Sequence, residues 1–131
     1  MSTPGKFNVI LLAALTTAAI EWNSLEPKPN ANGSGRKFFE GPTATLDLLE
    51  SHASTLNPGA TNHVILTRPH DEVIIVKEGS IEAFVKDQWI RVGPGSVIFN
   101  AANIPQAMRN VGGGPATYHV VMFQPAAEKQ K

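Results

Sequence analysis

The sequence predicts a single all-β domain built as a sandwich or barrel of short strands. Short apolar runs recur from Arg36 onward and are separated by turn residues at intervals of about 8 to 12 residues, which is typical of such folds. Eleven glycines and ten prolines provide the many turns that this architecture needs. A chain of 131 residues suits one domain with a core of its own.

The strands are assigned from runs of apolar and β-branched residues that end at turn signals. At least eight are predicted, and they lie within residues 37–39, 43–56, 63–67, 72–77, 81–85, 88–92, 96–100, 107–111 and 117–123. Lys86 and Asp87 form a two-residue hairpin turn between two of them. Helix is the alternative only for the first 20 residues and for residues 45–51, because no β-branched residue occurs from 46 to 54 and the apolar residues there fit a helical stripe.

The N-terminal segment, residues 1–35, differs in composition from the rest. Residues 7–20 are uncharged and mostly apolar, Lys6 precedes them, and residues 17–19 are small, which is the layout of a signal peptide ending at about residue 19. The alternative is a helix or strand that packs on the barrel or on a partner subunit. The protein is exported to the periplasm under the first interpretation and cytoplasmic under the second. An irregular connector over 21–35, a barrel over 36–124 and a flexible tail over 125–131 complete the predicted organisation.

Composition excludes several classes of function. The chain has no cysteine, so it forms no disulfide, no thiolate metal site and no cysteine nucleophile. Eleven basic residues balance eleven acidic ones, and neither sign forms a run. We therefore expect no nucleic-acid partner and no membrane-surface partner.

The segment from Gly59 to Gly79 resembles the first sequence motif of the cupin superfamily, which has a glycine, two histidines, a glutamate and a second glycine at fixed spacing. Counted back from Gly79, the glutamate position is Glu72, which matches. The two histidine positions fall on Leu66 and Arg68. A spacer one residue longer would include Gly59 but would place the histidine positions on Ile65 and Thr67. Neither alignment recovers a histidine.

The segment from Gly95 to Asn110 resembles the second cupin motif. Its terminal asparagine position matches Asn110, whereas its histidine position falls on Gln106. The resemblance covers roughly residues 38–123 and implies a cupin-type double-stranded β-helix, or jelly-roll barrel. Because this superfamily carries many chemistries, the resemblance implies a fold and leaves the role unassigned. Small cupins are commonly dimeric, so we also expect a homodimer, with residues 7–20 and 38–39 covering the edges of the sheets.

The resemblance implies a metal site of three histidines and one carboxylate, and this sequence keeps only Glu72 of the four. Leu66 has no donor atom, Arg68 would repel a cation, and Gln106 offers a weak amide ligand. We therefore expect no metal cofactor at these positions. A displaced transition-metal site of His70, Glu72, His52 and Gln106 is the alternative, since His70 lies two residues before Glu72 and both would point the same way in an extended chain. His63 and His119 are expected to be structural or exposed.

Two arrangements of the former metal site remain open. In the first, Arg68 pairs with Glu72 inside the barrel and plugs it. In the second, an open pocket binds a small organic ligand; it is lined by Leu66, Arg68, Glu72, Gln106, His52 and Met122. The first favours a metal-free binding or structural protein. The second allows an enzyme, either a metal-independent lyase, isomerase or cyclase, or a dioxygenase-like metalloenzyme at the displaced site. Glu72, Arg68 and His70 are then the catalytic candidates.

Overall fold

A computed structural model describes residues 13–127, which form an all-β fold with one short 3-10 helix, Trp22–Ser24. This confirms the all-β prediction. The nine strands in the described part of the chain are β1 (Lys28–Asn30), β2 (Gly33–Gly41), β3 (Leu46–Leu56), β4 (Asp71–Glu78), β5 (Ile81–Val85), β6 (Gln88–Val92), β7 (Val97–Asn100), β8 (Met108–Asn110) and β9 (Ala116–Pro125). No helix among these residues is long and apolar enough to cross a membrane.

The strands form two antiparallel sheets that face each other across the core. The larger sheet has the order β1-β2-β3-β9-β4-β7, and the smaller has the order β6-β5-β8. Fully buried aliphatic residues of the two sheets meet in the middle, including Ile74 and Val76 on β4 and Ile81 on β5. Burying apolar side chains of this size stabilises the fold by about 1.5 to 3 kcal/mol each. The result is a jelly-roll barrel.

Strand β3 decides an ambiguity in the sequence. Residues 46–51 are strand, so the helical alternative for 45–51 is wrong. Both faces of β3 are covered: Glu50 and Leu56 are buried on the inner side, and Ser51 and Ala53 on the outer side. A strand that is buried on both faces does not alternate between apolar and polar residues. Without that alternation, the sequence pattern alone could not distinguish a strand from a helix in this segment. Residues 63–67, also predicted as a strand, instead belong to an irregular segment with isolated bridges at 61 and 66.

Backbone geometry explains several of the turns that the sequence predicted. Lys86 and Asp87 both adopt positive φ angles, 50° and 64°, and join β5 to β6 as the expected two-residue turn. Gly79 has φ 86°, and a Cβ there would lie 2.6 Å from the Cα of Ala116, so only glycine fits. Asn110 is buried, and its amide nitrogen donates to the backbone carbonyls of Leu56 and Gly114 at 2.9 and 2.8 Å.

The chain before β2 packs against the outer face of the large sheet. The Trp22 ring lies 6.1 Å from that of Phe38 and 5.6 Å from that of His119, and the cationic groups of Arg36 and Lys77 lie over it at 4.3 and 4.2 Å. Residues 21–35, predicted to be an irregular connector, contain β1 and the start of β2. Residues 13–20 have no regular secondary structure, and residues 1–12 of the predicted signal segment lie outside the described residues.

An exposed apolar surface lies at the other edge of the large sheet. Val97 and Phe99 of the edge strand β7 are 63% and 57% exposed, and the neighbouring Ile75 of β4 is 41% exposed. Phe38, one of the two residues expected to cover a sheet edge, lies beside Trp22 of the same chain, with ring centroids 6.1 Å apart. The edge strand β7 carries an exposed apolar surface in the described part of the chain.

Candidate functional site

A cavity of about 220 Å³ lies inside the barrel, between the large sheet and the irregular segment that precedes β4. Its lining is rich in polar and ionisable groups and comprises His52, Ser54, Asn62, His63, Arg68, Glu72, Ile74, Met108, Tyr118 and Val120. At about 30 Å³ for each water molecule, the space corresponds to roughly seven waters. The interior around Glu72 is therefore open rather than filled by side chains.

Strand register determines which side chains reach this cavity. His52 on β3 lies opposite Val120 on β9, which lies opposite Ile74 on β4, so these three residues share the inner face. The next inward row along the same strands contains Glu50, Met122 and Glu72. Strands are spaced by about 4.8 Å, so the groups on β3 and β4 stand roughly 10 Å apart across β9. The inward side chains of β9, Val120 and Met122, lie between these two groups.

Buried Glu50 and partly exposed His52 form an acid–imidazole pair, of which His52 lines the cavity. The Nδ1 of His52 lies 2.8 and 2.9 Å from the two carboxylate oxygens of Glu50, and the Glu50 side chain is only 7% exposed. Because an ionised carboxylate only accepts hydrogen bonds, Nδ1 is the donor and Nε2 remains as the acceptor of the ring. Sequence reasoning named His52 but missed Glu50. The period of two within a strand would have revealed the pair if residues 46–54 had been read as a strand without reservation.

A second and larger cavity, of about 760 Å³, lies on the other side of His52. It opens beneath the β1–β2 hairpin and is lined by residues of the 24–37 segment together with Glu50, His52 and Ser54. His52 and Ser54 thus line both spaces. The imidazole of His52 stands at the boundary between the barrel interior and an outer groove.

The hydroxyl group of Tyr118 lies at the cavity and loses its proton only at high pH. Burial raises the pKa of Tyr118 to about 12, and the negative charge of Glu72 adds to this effect. Hydrogen bonds with the side chains of Ser54 and Asn62 act in the opposite direction. A phenol in this state is a hydrogen-bond donor throughout the neutral pH range.

Glu72 has a different partner from the one that the sequence suggested. The Nε2 of His70 lies 3.5 Å from a carboxylate oxygen of Glu72, and the two side chains are 15% and 13% exposed. This nitrogen forms no hydrogen bond within residues 13–127. Arg68 is exposed, and no carboxylate among residues 13–127 lies within ion-pairing distance of it. The buried Arg68–Glu72 pair is therefore not formed. The chain bends at Pro69 and His70, so Arg68 does not continue the line of β4 that an extended chain would have given.

Three residues predicted for the pocket lie outside the lining of the cavity. Gln106 is 2% exposed, its side-chain oxygen accepts a hydrogen bond from Asn100 at 3.0 Å, and its amide nitrogen has no partner. Leu66 and Gln106 exchange two backbone hydrogen bonds, of 3.1 and 2.8 Å, and so join the irregular segment to the strand-like chain before β8. Met122 is half-buried in the row of Glu50 and Glu72. His63, expected to be structural or exposed, is partly exposed and also lines the cavity.

The residues present do not fit the metal that the barrel type implies. The motif positions hold Leu66, Arg68 and Gln106 beside Glu72, and one carboxylate with one amide is a poor donor set for a transition ion. The displaced set is not assembled either. His52 is bonded to Glu50 and Gln106 to Asn100, and no cluster of three or more metal-ligating side chains occurs within residues 13–127.

Comparison with known proteins agrees with this architecture. The fold and its internal cavity define a small jelly-roll barrel with a site inside it. A family model described as the Cupin domain matches residues 53–122, more than half of the chain. The protein belongs to this cupin family, which confirms the resemblance of its motifs. No curated protein sequence matches the chain.

Solved structures support the same fold at low sequence identity. The polyketide cyclase RemF from Streptomyces resistomycificus is 15% identical over 88% of this chain and 89% of its own, with a TM-score of 0.67. An RmlC-like cupin from Shewanella frigidimarina is 17% identical over 86% and 95%, with a TM-score of 0.66. A sugar phosphate isomerase of the cupin superfamily from Silicibacter pomeroyi is 17% identical over 82% and 76%, with a TM-score of 0.63. These similarities show the fold, and the differing roles of the three proteins leave the role of this chain open.

Proposed function

We propose that this cupin binds a small anionic organic molecule in its barrel cavity without a metal ion. The observation that supports this most directly is Arg68, which lines the cavity and has no carboxylate partner among residues 13–127. A guanidinium remains charged at all ordinary pH values and recognises carboxylate and phosphate groups with two parallel hydrogen bonds. Tyr118 and His63 line the same cavity and add polar contacts.

The size and charge of the cavity restrict the ligand. A volume of about 220 Å³ is below the range of roughly 300 to 1,000 Å³ that is usual for drug-sized ligands. Glu72 lies in the same lining as Arg68, so the ligand must place its acidic group near Arg68 and its neutral polar groups near Glu72. A short-chain oxo or hydroxy acid, or a small sugar phosphate, has this distribution of charge.

Calorimetric titration with pyruvate and with dihydroxyacetone phosphate tests the proposal. We expect binding that weakens at least tenfold in Arg68→Gln, because one charge-assisted hydrogen bond is worth about 1.5 to 3 kcal/mol. Arg91→Gln is the matched control, since Arg91 is an exposed arginine on β6 and does not line the cavity. Equal affinity in Arg68→Gln, or no binding of either probe at millimolar concentration, would contradict the proposal.

Elemental analysis of the purified protein tests the metal-free part separately. We expect far less than one equivalent of Fe, Mn, Ni, Cu or Zn for each chain, because an unpaired guanidinium lines the cavity beside the one retained ligand. A stoichiometric transition metal that a chelator removes, with loss of ligand binding, would show that this part is wrong.

A further inference from the structure

The buried carboxylate of Glu50 calls for a physical explanation beyond ligand binding. Its side chain is 7% exposed, and both of its oxygens point at a single nitrogen, the Nδ1 of His52. Within residues 13–127, the ion pair of Lys37 and Glu40 lies beside it in the sheet register and is exposed, although Lys37 also feels the charge of Glu50. Burying a carboxylate is costly unless it is well bonded, so this one is held in place chiefly by the imidazole. The arrangement fixes both the tautomer and the orientation of His52.

The opposite edge of the His52 ring is free to act on a ligand. No hydrogen bond to its Nε2 occurs among residues 13–127, and this atom is not sealed from solvent, whereas the Nε2 of His70 is. His52 lines the same cavity as Arg68 and Tyr118. Three groups therefore line the same cavity: the His52 imidazole with its oriented lone pair, the Arg68 cation that can bind an anionic substrate, and the Tyr118 hydroxyl donor.

We propose that His52 is a general base that removes a proton from a carbon next to a carbonyl group of the bound anion, and that Glu50 is its positioning residue. This inference rests on the proposed function, because the substrate is the ligand anchored at Arg68. The substrate class is a small oxo acid or a phosphorylated ketose with such a C–H bond.

The step is balanced without any further reactant. The C–H bond breaks and its proton passes to Nε2 of His52, which becomes an imidazolium beside the Glu50 carboxylate. The electron pair of that bond forms the C=C bond of an enolate, and the carbonyl oxygen takes the negative charge. The Tyr118 hydroxyl donates a hydrogen bond to that oxygen, since this phenol keeps its proton at neutral pH. Return of a proton from Nε2 to the same carbon regenerates neutral His52 and the carbonyl group, so the net result is exchange of that hydrogen with solvent.

A nucleophilic alternative is not favoured by the contacts. Ser54 lies two residues from His52 on the same face of β3, but its hydroxyl contacts Tyr118 and has no hydrogen bond to His52 within the described chain. A serine nucleophile requires its base within hydrogen-bonding reach. The pair of Glu50 and His52 therefore serves proton transfer rather than acyl transfer.

The test is deuterium incorporation from heavy water into pyruvate and dihydroxyacetone phosphate, followed by proton NMR with the whole chain. We expect the protein to accelerate exchange in at least one probe, and His52→Gln to slow it at least about 100-fold, which is the usual contribution of a general base. Glu50→Gln should lower kcat about tenfold or more with little change in KM. Glu82→Gln, the same change in a carboxylate paired with Arg109 on the smaller sheet, should exchange at the original rate.

Nitrogen NMR of the neutral His52 ring provides a readout that does not depend on the substrate. We expect the proton on Nδ1 in the original protein and a mixture of tautomers in Glu50→Gln. A proton on Nε2, or full exchange activity in His52→Gln, overturns the inference. Binding of both probes without exchange also overturns it and leaves the proposed function standing. If neither probe binds, both proposals fail. Circular dichroism of each variant establishes that the barrel is folded.

Discussion

Tyr118 is the single tyrosine of the chain, so its ionisation can be followed without interference from another phenol. Burial, with a further contribution from the charge of Glu72, raises its pKa from 10.0 to about 12. At about 1.4 kcal/mol per pKa unit, this difference corresponds to a free energy on the order of 3 kcal/mol. The unfolded chain releases the proton first. Stability due to the neutral phenol is therefore complete below pH 10 and is lost as the pH rises towards 12.

The assay compares urea unfolding of the original protein and of Tyr118→Phe at a series of pH values from neutral to strongly alkaline. Lysines titrate in the same pH range and contribute equally to both proteins. Subtracting the two free energies of unfolding at each pH therefore leaves the contribution of Tyr118. Tyrosinate absorbance of the native protein gives the pKa directly, and Glu72→Gln should lower it by removing the neighbouring charge. A native midpoint close to 10, or a difference in stability that does not change with pH, would refute the burial of this hydroxyl group.

Three further expectations concern the fold and its association. Asn110→Asp removes both donors of a buried amide and should lower the free energy of unfolding by about 2 to 4 kcal/mol. The same change at the exposed Asn57 should have little effect, and equal urea midpoints for the two variants would contradict the prediction. Burial, with a smaller contribution from the charge of Lys77, lowers the pKa of His119, so stability should fall as the pH drops below about 6.5. In thermal melts from pH 7 to 5, His119→Gln should show a smaller fall than the original protein. We expect a homodimer through β7, with Val97→Lys and Phe99→Lys monomeric in light scattering; an original protein that is already monomeric would exclude it.

Much of the fold could be predicted because its turns are encoded locally. Gly79 and the Lys86–Asp87 pair mark turns whose backbone angles require glycine or favour a two-residue hairpin, and the structure has both. The strand-forming runs between them are rich in Val and Ile. Strand β3 was harder to assign, because its outer face is covered by residues far away in sequence, near Ile20 and Phe39. Local periodicity cannot reveal a cover of this kind.

The site was predictable only where it lies on regular strands. Glu72, a motif position, and His52, considered because it could lie on a neighbouring strand, both line the cavity. The position of Arg68 is set instead by the bend of the chain at Pro69. Because the chain is not extended there, the four-residue spacing could not predict that Arg68 and Glu72 would pair. Glu50 was missed because a carboxylate two residues before a histidine becomes meaningful only when both are known to point inward.

The imidazole of His52 is also a partition, because it lines both the 220 Å³ interior cavity and the 760 Å³ groove beneath the β1–β2 hairpin. His52 and Ser54 both line the two spaces, so these two side chains of β3 stand between the interior cavity and the groove. Replacement of His52 by a smaller residue would widen the boundary between the two spaces. Such a barrel could be engineered to bind longer ligands, with the acidic group of the ligand at Arg68 and the rest of the molecule in the groove.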